Sequence, residues 1–210
     1  MRWTVVIPAK ALPEAKSRLL PASADEAAHR RLVEAIRTDT AAAASAADGV
    51  ARVLVVSDRP AGEGVLVQSA PGLNAALVEA AEFAARHWPE DGVAALVGDL
   101  PALRAGELAD ALSCAASYPR THVPDAAGTG TTLLTALPGV VLAPAFGAGS
   151  AARHAAGSVS LHGGAGLRHD VDTAADLRAA AGLGVGASTS ALLAASGVSG
   201  RSTRDGMMQG

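Results

Sequence analysis

The chain has 210 residues, a length that suits one domain with a sizeable core, and a formal net charge of -3. The negative net charge argues against a basic face for a nucleic-acid polymer. Only 2% of the residues are aromatic, so few rings could stack on bases. The single cysteine, Cys114, excludes an internal disulfide and a thiolate zinc cluster, and we interpret it as a small buried hydrophobe. Together these features predict a small-molecule partner and a cytoplasmic location, without a membrane.

Strand and helix patterns alternate along the chain. Short apolar runs predict strands over residues 3–7, 53–56, 65–68, 93–97, 121–123, 131–135 and 159–161. Apolar residues at helical spacing predict helices over about 25–44, 74–86, 103–116 and 173–181, with another after Ser150. Brief connections between alternating strands and helices predict an α/β fold, in which helices cover both faces of a mostly parallel central sheet.

The last part of the chain differs in composition from the rest. Residues 179–198 lack charge over about the length of a membrane span, but Gly, Ser and Thr interrupt the stretch and large apolar residues are sparse. We therefore predict one catalytic domain over residues 1–182 and a low-complexity, flexible tail over 183–210.

A basic loop follows the first predicted strand, at the edge of the sheet where small-molecule sites form. It carries Lys10, Lys16, Ser17 and Arg18, and no Gly-x-Gly-x-x-Gly signal for a nicotinamide or flavin cofactor accompanies it. Three cations on one loop can neutralise a polyphosphate. The alternative is an ordinary solvated surface loop.

Two carboxylates are candidates for holding a metal. Asp99, in "GDLPAL", follows the most apolar strand, and a carboxylate at that edge can bind a magnesium ion that also contacts phosphate oxygens. Asp170 and Asp172, in "RHDVDTAADL", point the same way if the segment is extended, and we choose Asp172 for the metal. The alternative for Asp99 and Asp172 is capping of the helix that follows, with Thr173 as a rival cap of the second helix.

The segments "GTGTTLL" and "FGAGSAARH" supply a candidate anion site. Gly147, Gly149 and Ser150 precede a predicted helix, whose free backbone N–H groups and positive dipole end favour a phosphate or carboxylate. The alternative is a plain loop with a Ser N-cap. Three histidines match no zinc spacing and are interpreted as surface or hydrogen-bonded residues: His154, His162 and His169.

Six motifs in this order resemble one known family. "PAKALPEAKSRL", "GLNAAL", "GDLPAL", "PDAAGTGTTLL", "FGAGSAARH" and "RHDVDTAADL" span about residues 5–177 and look like the guanylyltransferases of coenzyme F-420 biosynthesis. Those enzymes act on 2-phospho-L-lactate or phosphoenolpyruvate. The resemblance implies a single-domain, glycosyltransferase-A-like nucleotidyltransferase fold, built as a three-layer sandwich.

The resemblance also implies a reaction and a role for each motif. The phosphate of a three-carbon phospho-acid would attack the α-phosphorus of GTP and release pyrophosphate, with magnesium as cofactor and a downstream transferase of the pathway as a partner. Asp99 and Asp172 would hold the metal. The phospho-acid would be bound by Thr132, Gly147 and Ser150. The triphosphate would lie on Lys10, Lys16, Ser17 and Arg18, with Lys16 and Arg18 catalytic and Asn74 near the nucleoside.

Other functions remain open from the residues alone. The chain could transfer a nucleotide to a sugar phosphate or to molybdopterin, or it could be a glycosyltransferase, because Asp170 and Asp172 form an Asp-x-Asp pair. A non-catalytic nucleotide-binding module is a third reading. The identity of the phospho-acid is also open.

Overall fold

Residues 1–9, 25–58 and 65–195 are described in the computed structural model. The strands in this part of the chain are β1 (Trp3–Ala9), β2 (Val50–Ser57), β3 (Val65–Val67), β4 (Gly92–Leu96), β5 (Arg120–Pro124), β6 (Thr131–Ala136) and β7 (Val159–Ser160). The helices are α1 (Glu26–Ser45), α2 (Leu73–His87), α3 (Ala105–Ala115), α4 (Ser150–Ala155), α5 (Ala165–Arg168), α6 (Ala174–Leu183) and α7 (Ala187–Ala195). Every predicted element is present within a few residues of its expected bounds, whereas the sequence analysis missed α5 and α7.

The strands form one sheet in the order β3-β2-β1-β4-β6-β5-β7. Four of the six strand pairings are parallel, which confirms the mostly parallel sheet. The exception is β6, which pairs antiparallel with both β4 and β5. Because β6 runs in reverse, its first residues lie beside the carboxyl end of β4, where small-molecule sites form in such sheets.

Helices cover both faces of the sheet, as predicted for a three-layer sandwich. On one face, α1, α3 and α5 pack against a buried cluster that includes Trp3, Val5 and Leu96. On the other, α2 and the segment after β6 pack against a second cluster that includes Val6 and Ala95. Neighbouring residues of β1 and β4 thus face opposite helix layers, which explains why both strands read as continuous apolar runs.

The end of the described chain corrects one prediction. Residues 187–195 form α7, which packs against α1, so the flexible tail predicted from residue 183 is wrong for this part. Within the described residues no single helix is long and apolar enough to cross a membrane, and α6 and α7 meet those limits only when joined, although they are bent by 117° at their break. Residues 196–210 lie outside the described residues.

Cys114 corrects a second prediction, because its side chain is exposed instead of buried. It lies near the end of α3, whose buried side is formed by other residues of the helix: Leu108, Ala111, Leu112 and Ala115. The apolar composition around Cys114 indicated the helix correctly and did not fix which of its faces is buried.

A buried carboxylate fastens the amino ends of the central strands. Asp91, just before β4, accepts hydrogen bonds from Arg2 (3.0 Å), Thr4 (3.3 Å) and Arg52. Burial raises the pKa of Asp91, but the hydrogen bonds from Arg52 and Arg2 outweigh it and leave the pKa below its usual value. The carboxylate therefore stabilises the fold in its ionised form.

Asp91→Asn is expected to lower the free energy of unfolding by about 2 kcal/mol at pH 7, because charged hydrogen bonds are lost in a buried setting. Since the folded pKa lies below the unfolded value of about 3.9, this contribution is complete above about pH 4 and is lost as the pH falls through the folded pKa. Urea unfolding at pH 7 and pH 3 measures both effects. The exposed Asp48 supplies the control, Asp48→Asn, and an equal deficit of the Asp91 variant at both pH values would contradict the linkage.

Candidate active site

The two predicted metal ligands come together at the carboxyl edge of the sheet. Asp99 lies three residues after the end of β4, and the backbone N–H of Val171 donates to the Asp99 carbonyl at 3.0 Å. This bond places Asp172, the next residue, beside Asp99 although 73 positions separate them in the sequence. Asp172 is exposed, whereas Asp99 is half-buried with its Oδ1 atom buried.

Neither carboxylate caps the helix that follows it, so capping by Asp99 or Asp172 is wrong, whereas the alternative of Thr173 as the cap is confirmed. The N-cap of α6 is Thr173, which forms a capping box with Asp176. The N-cap of α3 is Arg104, five residues beyond Asp99. Other residues therefore cap both helices.

The donor set suits a hard divalent cation. Carboxylate oxygens are the ligands that magnesium prefers, and it commonly takes one or two of them together with water and substrate phosphate oxygens. No group of three His, Cys, Asp or Glu side chains with metal-binding geometry occurs among the described residues. A pair of carboxylates at an open edge therefore fits a metal that completes its coordination with substrate.

Arg37 is a residue of this edge that the sequence analysis missed. It lies on α1, and its Cγ is 4.0 Å from the position that a Cβ on Gly98 would take. Burial lowers the pKa of Arg37, while the charges of Asp99, Asp58 and Glu34 raise it. A half-buried cation thus lies within electrostatic range of carboxylates that follow β2 and β4. An arginine in the middle of a helix gives no sequence signal for this position.

The reversed strand β6 brings Thr132 to the same edge. The N–H of Val97 donates to the Thr132 carbonyl at 2.9 Å, two residues before Asp99. The Thr132 side chain is buried, and its hydroxyl donates to the Val123 carbonyl at 3.4 Å. The structure therefore joins this predicted phospho-acid residue to the carboxylate pair.

The loop over residues 143–149, called the glycine loop below, carries Gly147 and leads into Ser150. Ala151 N–H donates to the Thr129 carbonyl at 3.1 Å, which ties the loop to the turn before β6. Gly149 is the N-cap of α4, so the alternative of Ser150 as a cap is wrong. The helix has only six residues, and its dipole is correspondingly small.

Side chains from two helices brace the glycine loop. Arg153 donates to the Ala145 carbonyl through Nε (3.1 Å) and Nη2 (2.9 Å), and to the Ala148 carbonyl through Nη1 (2.6 Å). Asn74, in the first turn of α2, accepts from Phe146 N–H at 2.8 Å and donates to the Phe146 carbonyl at 3.2 Å. Asn74, predicted near a nucleoside, thus uses both ends of its amide on the loop that carries Gly147.

A buried histidine completes the support of this loop. His154 Nε2 accepts from Ala145 N–H at 2.9 Å, so the proton of the neutral ring lies on Nδ1, which donates to Thr131 Oγ1 at 2.8 Å. Burial, with nearby His122, Arg153 and Arg120, lowers the pKa of His154 to about 4. The interpretation of His154 as a hydrogen-bonded residue is confirmed, but its place at the site was missed.

The basic loop lies outside the described residues, and with it Lys10, Lys16, Ser17 and Arg18. The nearest described feature is the end of β1, where Ala9 pairs with Ser57 of β2. A Cβ on Gly98 would lie 3.3 Å from the Pro8 carbonyl, so β1 ends beside the residue that precedes Asp99. The triphosphate-binding role of the loop stays a prediction.

No family model matches the chain, but close relatives exist. A phosphoenolpyruvate guanylyltransferase of Streptomyces coelicolor is 50% identical over 206 residues, which cover 92% of this chain and 97% of that protein. Another protein of the same name, from Geodermatophilus obscurus, is 52% identical over 206 residues and covers 91% of this chain and 94% of that protein.

Solved structures with the same fold are more distant in sequence. A protein assigned to the nucleotide-diphospho-sugar transferases, from Desulfovibrio desulfuricans G20, superposes with a TM-score of 0.70 at 17% identity, over 94% of this chain and 96% of that one. The manganese complex of Rv0371C from Mycobacterium tuberculosis H37Rv gives a TM-score of 0.52 at 22% identity, over 85% of this chain and 97% of that one. At such identities the likeness shows the fold alone.

Proposed function

The chain belongs to the phosphoenolpyruvate guanylyltransferase family, and from this premise we propose that it transfers GMP from GTP to the phosphate of phosphoenolpyruvate. A phosphate oxygen of the acid attacks the α-phosphorus of GTP, the bond between the α-phosphorus and its bridging oxygen breaks, and pyrophosphate leaves. The attacking oxygen is already anionic at neutral pH, so it needs no general base. Positioning and charge neutralisation carry the catalysis.

The observation that carries the proposal is the Val171 to Asp99 hydrogen bond, which brings Asp99 and Asp172 to one edge. We assign these two carboxylates to magnesium, which would supply positive charge at the phosphates of GTP. Asp99 and Asp172 would orient the reacting phosphates by holding the cation, in line with the preference of magnesium for carboxylate and phosphate oxygens.

The acceptor acid is assigned to the glycine loop and the start of β6. The Thr132 carbonyl accepts a hydrogen bond from the N–H of Val97, two residues before Asp99. Gly147 lies on the glycine loop and Ser150 directly follows it. Asn74, Arg153 and His154 brace this loop. Backbone N–H groups on a rigid loop can donate hydrogen bonds to an anionic substrate, and the loop loses little conformational entropy on binding. This subsite would hold phosphoenolpyruvate close to the metal.

The basic loop and Arg37 have separate roles in this proposal. Lys10, Lys16, Ser17 and Arg18 would bind the triphosphate and the leaving pyrophosphate, with Lys16 and Arg18 neutralising charge that develops in the reaction. Arg37, beside Asp99 and Asp58, would offset negative charge at the base of the site. The F-420 pathway, its downstream transferase and a cytoplasmic location stay predictions from the sequence.

The direct test is a product analysis. Purified protein is incubated with GTP, magnesium and phosphoenolpyruvate, and the products are weighed by mass spectrometry while pyrophosphate release is followed. Parallel reactions use 2-phospho-L-lactate, 3-phosphoglycerate, a sugar phosphate, and the other three nucleoside triphosphates. A GMP adduct of phosphoenolpyruvate formed fastest supports the proposal, whereas transfer only to a sugar phosphate, or GTP binding without any product, would refute it.

Asn74→Ala separates the two roles open to that residue. Loss of two hydrogen bonds to Phe146 should loosen the glycine loop and raise the KM for phosphoenolpyruvate about tenfold, with the KM for GTP changed less than twofold. Steady-state kinetics with each substrate varied in turn measures this split. Gln68→Ala is the matched control, because the Gln68 amide donates a hydrogen bond to the Ala70 carbonyl, between β3 and α2, and not to the glycine loop. A selective rise in the GTP KM would instead place Asn74 at the nucleoside.

A further inference from the structure

Three consecutive backbone groups around Asp99 are each held by a different part of the chain. The Asp99 carbonyl accepts from Val171 N–H at 3.0 Å, and Leu100 N–H donates to the Thr40 hydroxyl of α1 at 3.0 Å. The Pro101 carbonyl accepts from Gly186 N–H at 2.8 Å. The turn that presents Asp99 is therefore held in part by residue 186, which lies far along the chain.

The segment over residues 183–195, called the C-terminal segment below, is fastened to α1 by a buried carboxylate. Asp39 accepts hydrogen bonds from Ser188 N–H at 2.9 Å and Thr189 N–H at 2.8 Å, at the start of α7. Asp39 is itself buried and is the neighbour of Thr40 along α1. Two adjacent residues of α1 thus fix both parts: Asp39 holds the C-terminal segment and Thr40 holds the turn that presents Asp99.

Apolar packing and a second contact support the same arrangement. Ala102, in the Asp99 turn, belongs to a buried cluster with residues of α1 and α6, and this cluster packs against Leu183, Val185 and Leu193 of the C-terminal segment. The Arg104 guanidinium donates to the Leu183 carbonyl at 3.0 Å. The C-terminal segment therefore covers the outer side of the turn that presents Asp99.

We propose that the C-terminal segment is a positioning element for the Asp99 carboxylate, and that Asp39 is the positioning residue that locks it in place. The inference rests on the proposed function, because Asp99 is assigned there to a metal. A carboxylate that must bind a cation in one geometry depends on the groups that fix its backbone, as supporting residues do around other metal ligands. Residues 183–195 are thus part of the catalytic domain.

The test compares Asp39→Asn and Gly186→Ala with the unchanged protein, all as full chains. In Asp39→Asn the side chain keeps one of the two oxygens that accept hydrogen bonds from α7. In Gly186→Ala the new Cβ would lie 2.4 Å from Asp39 Cγ and push the C-terminal segment away. Mn2+ binding in the presence of GTP is followed by electron paramagnetic resonance. Both variants should bind Mn2+ about tenfold more weakly, and hydrogen exchange should be faster at the amides of Leu100 and Gly186.

Kinetics at saturating substrates adds a second readout. The kcat of both variants should fall about tenfold at a fixed low metal concentration and recover as the metal concentration is raised, with the KM for GTP within twofold of the original value. Asp110→Asn, an exposed carboxylate on α3, is the matched control and should change none of these quantities. A purely structural contact would lower the melting temperature without moving the metal affinity.

The outcomes separate this inference from the proposed function. Mn2+ affinity within twofold of the original in both variants, together with faster amide exchange at the start of α7, would overturn the inference while leaving guanylyl transfer intact. Weakened Mn2+ binding would support it even if no acceptor acid were converted, because binding is measured without the reaction. If one variant does not fold, the other and Thr40→Val, which removes the hydroxyl that holds Leu100, decide the same question.

Discussion

Asp99→Asn is expected to lower kcat by about 10³-fold, equivalent to about 4 kcal/mol of transition-state stabilisation, with little change in the melting temperature. The amide keeps the shape of the side chain but removes the charge that holds a cation at the phosphates. Asp172→Asn should have an effect of the same order, because the Val171 to Asp99 hydrogen bond places it at the same edge. Pyrophosphate release from GTP and phosphoenolpyruvate, measured across a magnesium titration, checks both.

The control for this pair is Asp48→Asn, an exposed carboxylate in the turn between α1 and β2, at the opposite edge of the sheet. It should leave kcat unchanged. The double variant of Asp99 and Asp172 should lose little more activity than either single variant, since the two residues would serve one metal. Near-normal turnover in either single variant would contradict the metal assignment, and a large fall in melting temperature would point to a structural role instead.

Local patterns were enough to predict most of the secondary structure. The apolar runs of β1 and β4 are buried on both faces, so a short continuous run was a reliable strand signal. The reversal of β6 was not predicted, because strand direction depends on pairing with residues far away in the sequence. The helix α7 was missed because Gly, Ser and Thr lower helix propensity, and it is held in place by tertiary contacts with Asp39.

The candidate site was predicted in part for the same reason. Asp99 follows a strong strand signal, and polar residues at strand ends of a parallel sheet converge at one edge, so its position could be inferred from the sequence. Arg37 and His154 gave no comparable signal, because each lies within a helix and reaches the site only through packing. The role of Asn74 as a brace of the glycine loop depends on contact with Phe146, 72 positions away.

Charge explains why the edge of the sheet can hold both carboxylates and phosphates. Asp58, Asp99 and Asp172 follow or adjoin strand ends there, and Arg37 is the described cation whose pKa responds to Asp99 and Asp58. A metal and the predicted basic loop would add the positive charge that a triphosphate requires.

His154→Ala is expected to lower the free energy of unfolding by about 3 kcal/mol at pH 7.5, because it empties a buried site and leaves Ala145 N–H and the Thr131 hydroxyl without their partner. The pKa of His154 is lowered to about 4, so its neutral form is needed in the fold. As the pH falls from about 6.5 towards 4, the unfolded chain gains a proton that the folded chain does not. The original protein therefore loses stability in this window.

The deficit of the His154→Ala variant should accordingly shrink between pH 7.5 and pH 4.5, since the variant lacks this titration. Urea unfolding at both pH values measures it, and the exposed His162 supplies the control, His162→Ala. His122, whose pKa burial also lowers, is retained in both proteins. A deficit that stays constant or grows on acidification would show that His154 is charged in the fold, and the glycine loop would then need another acceptor for Ala145.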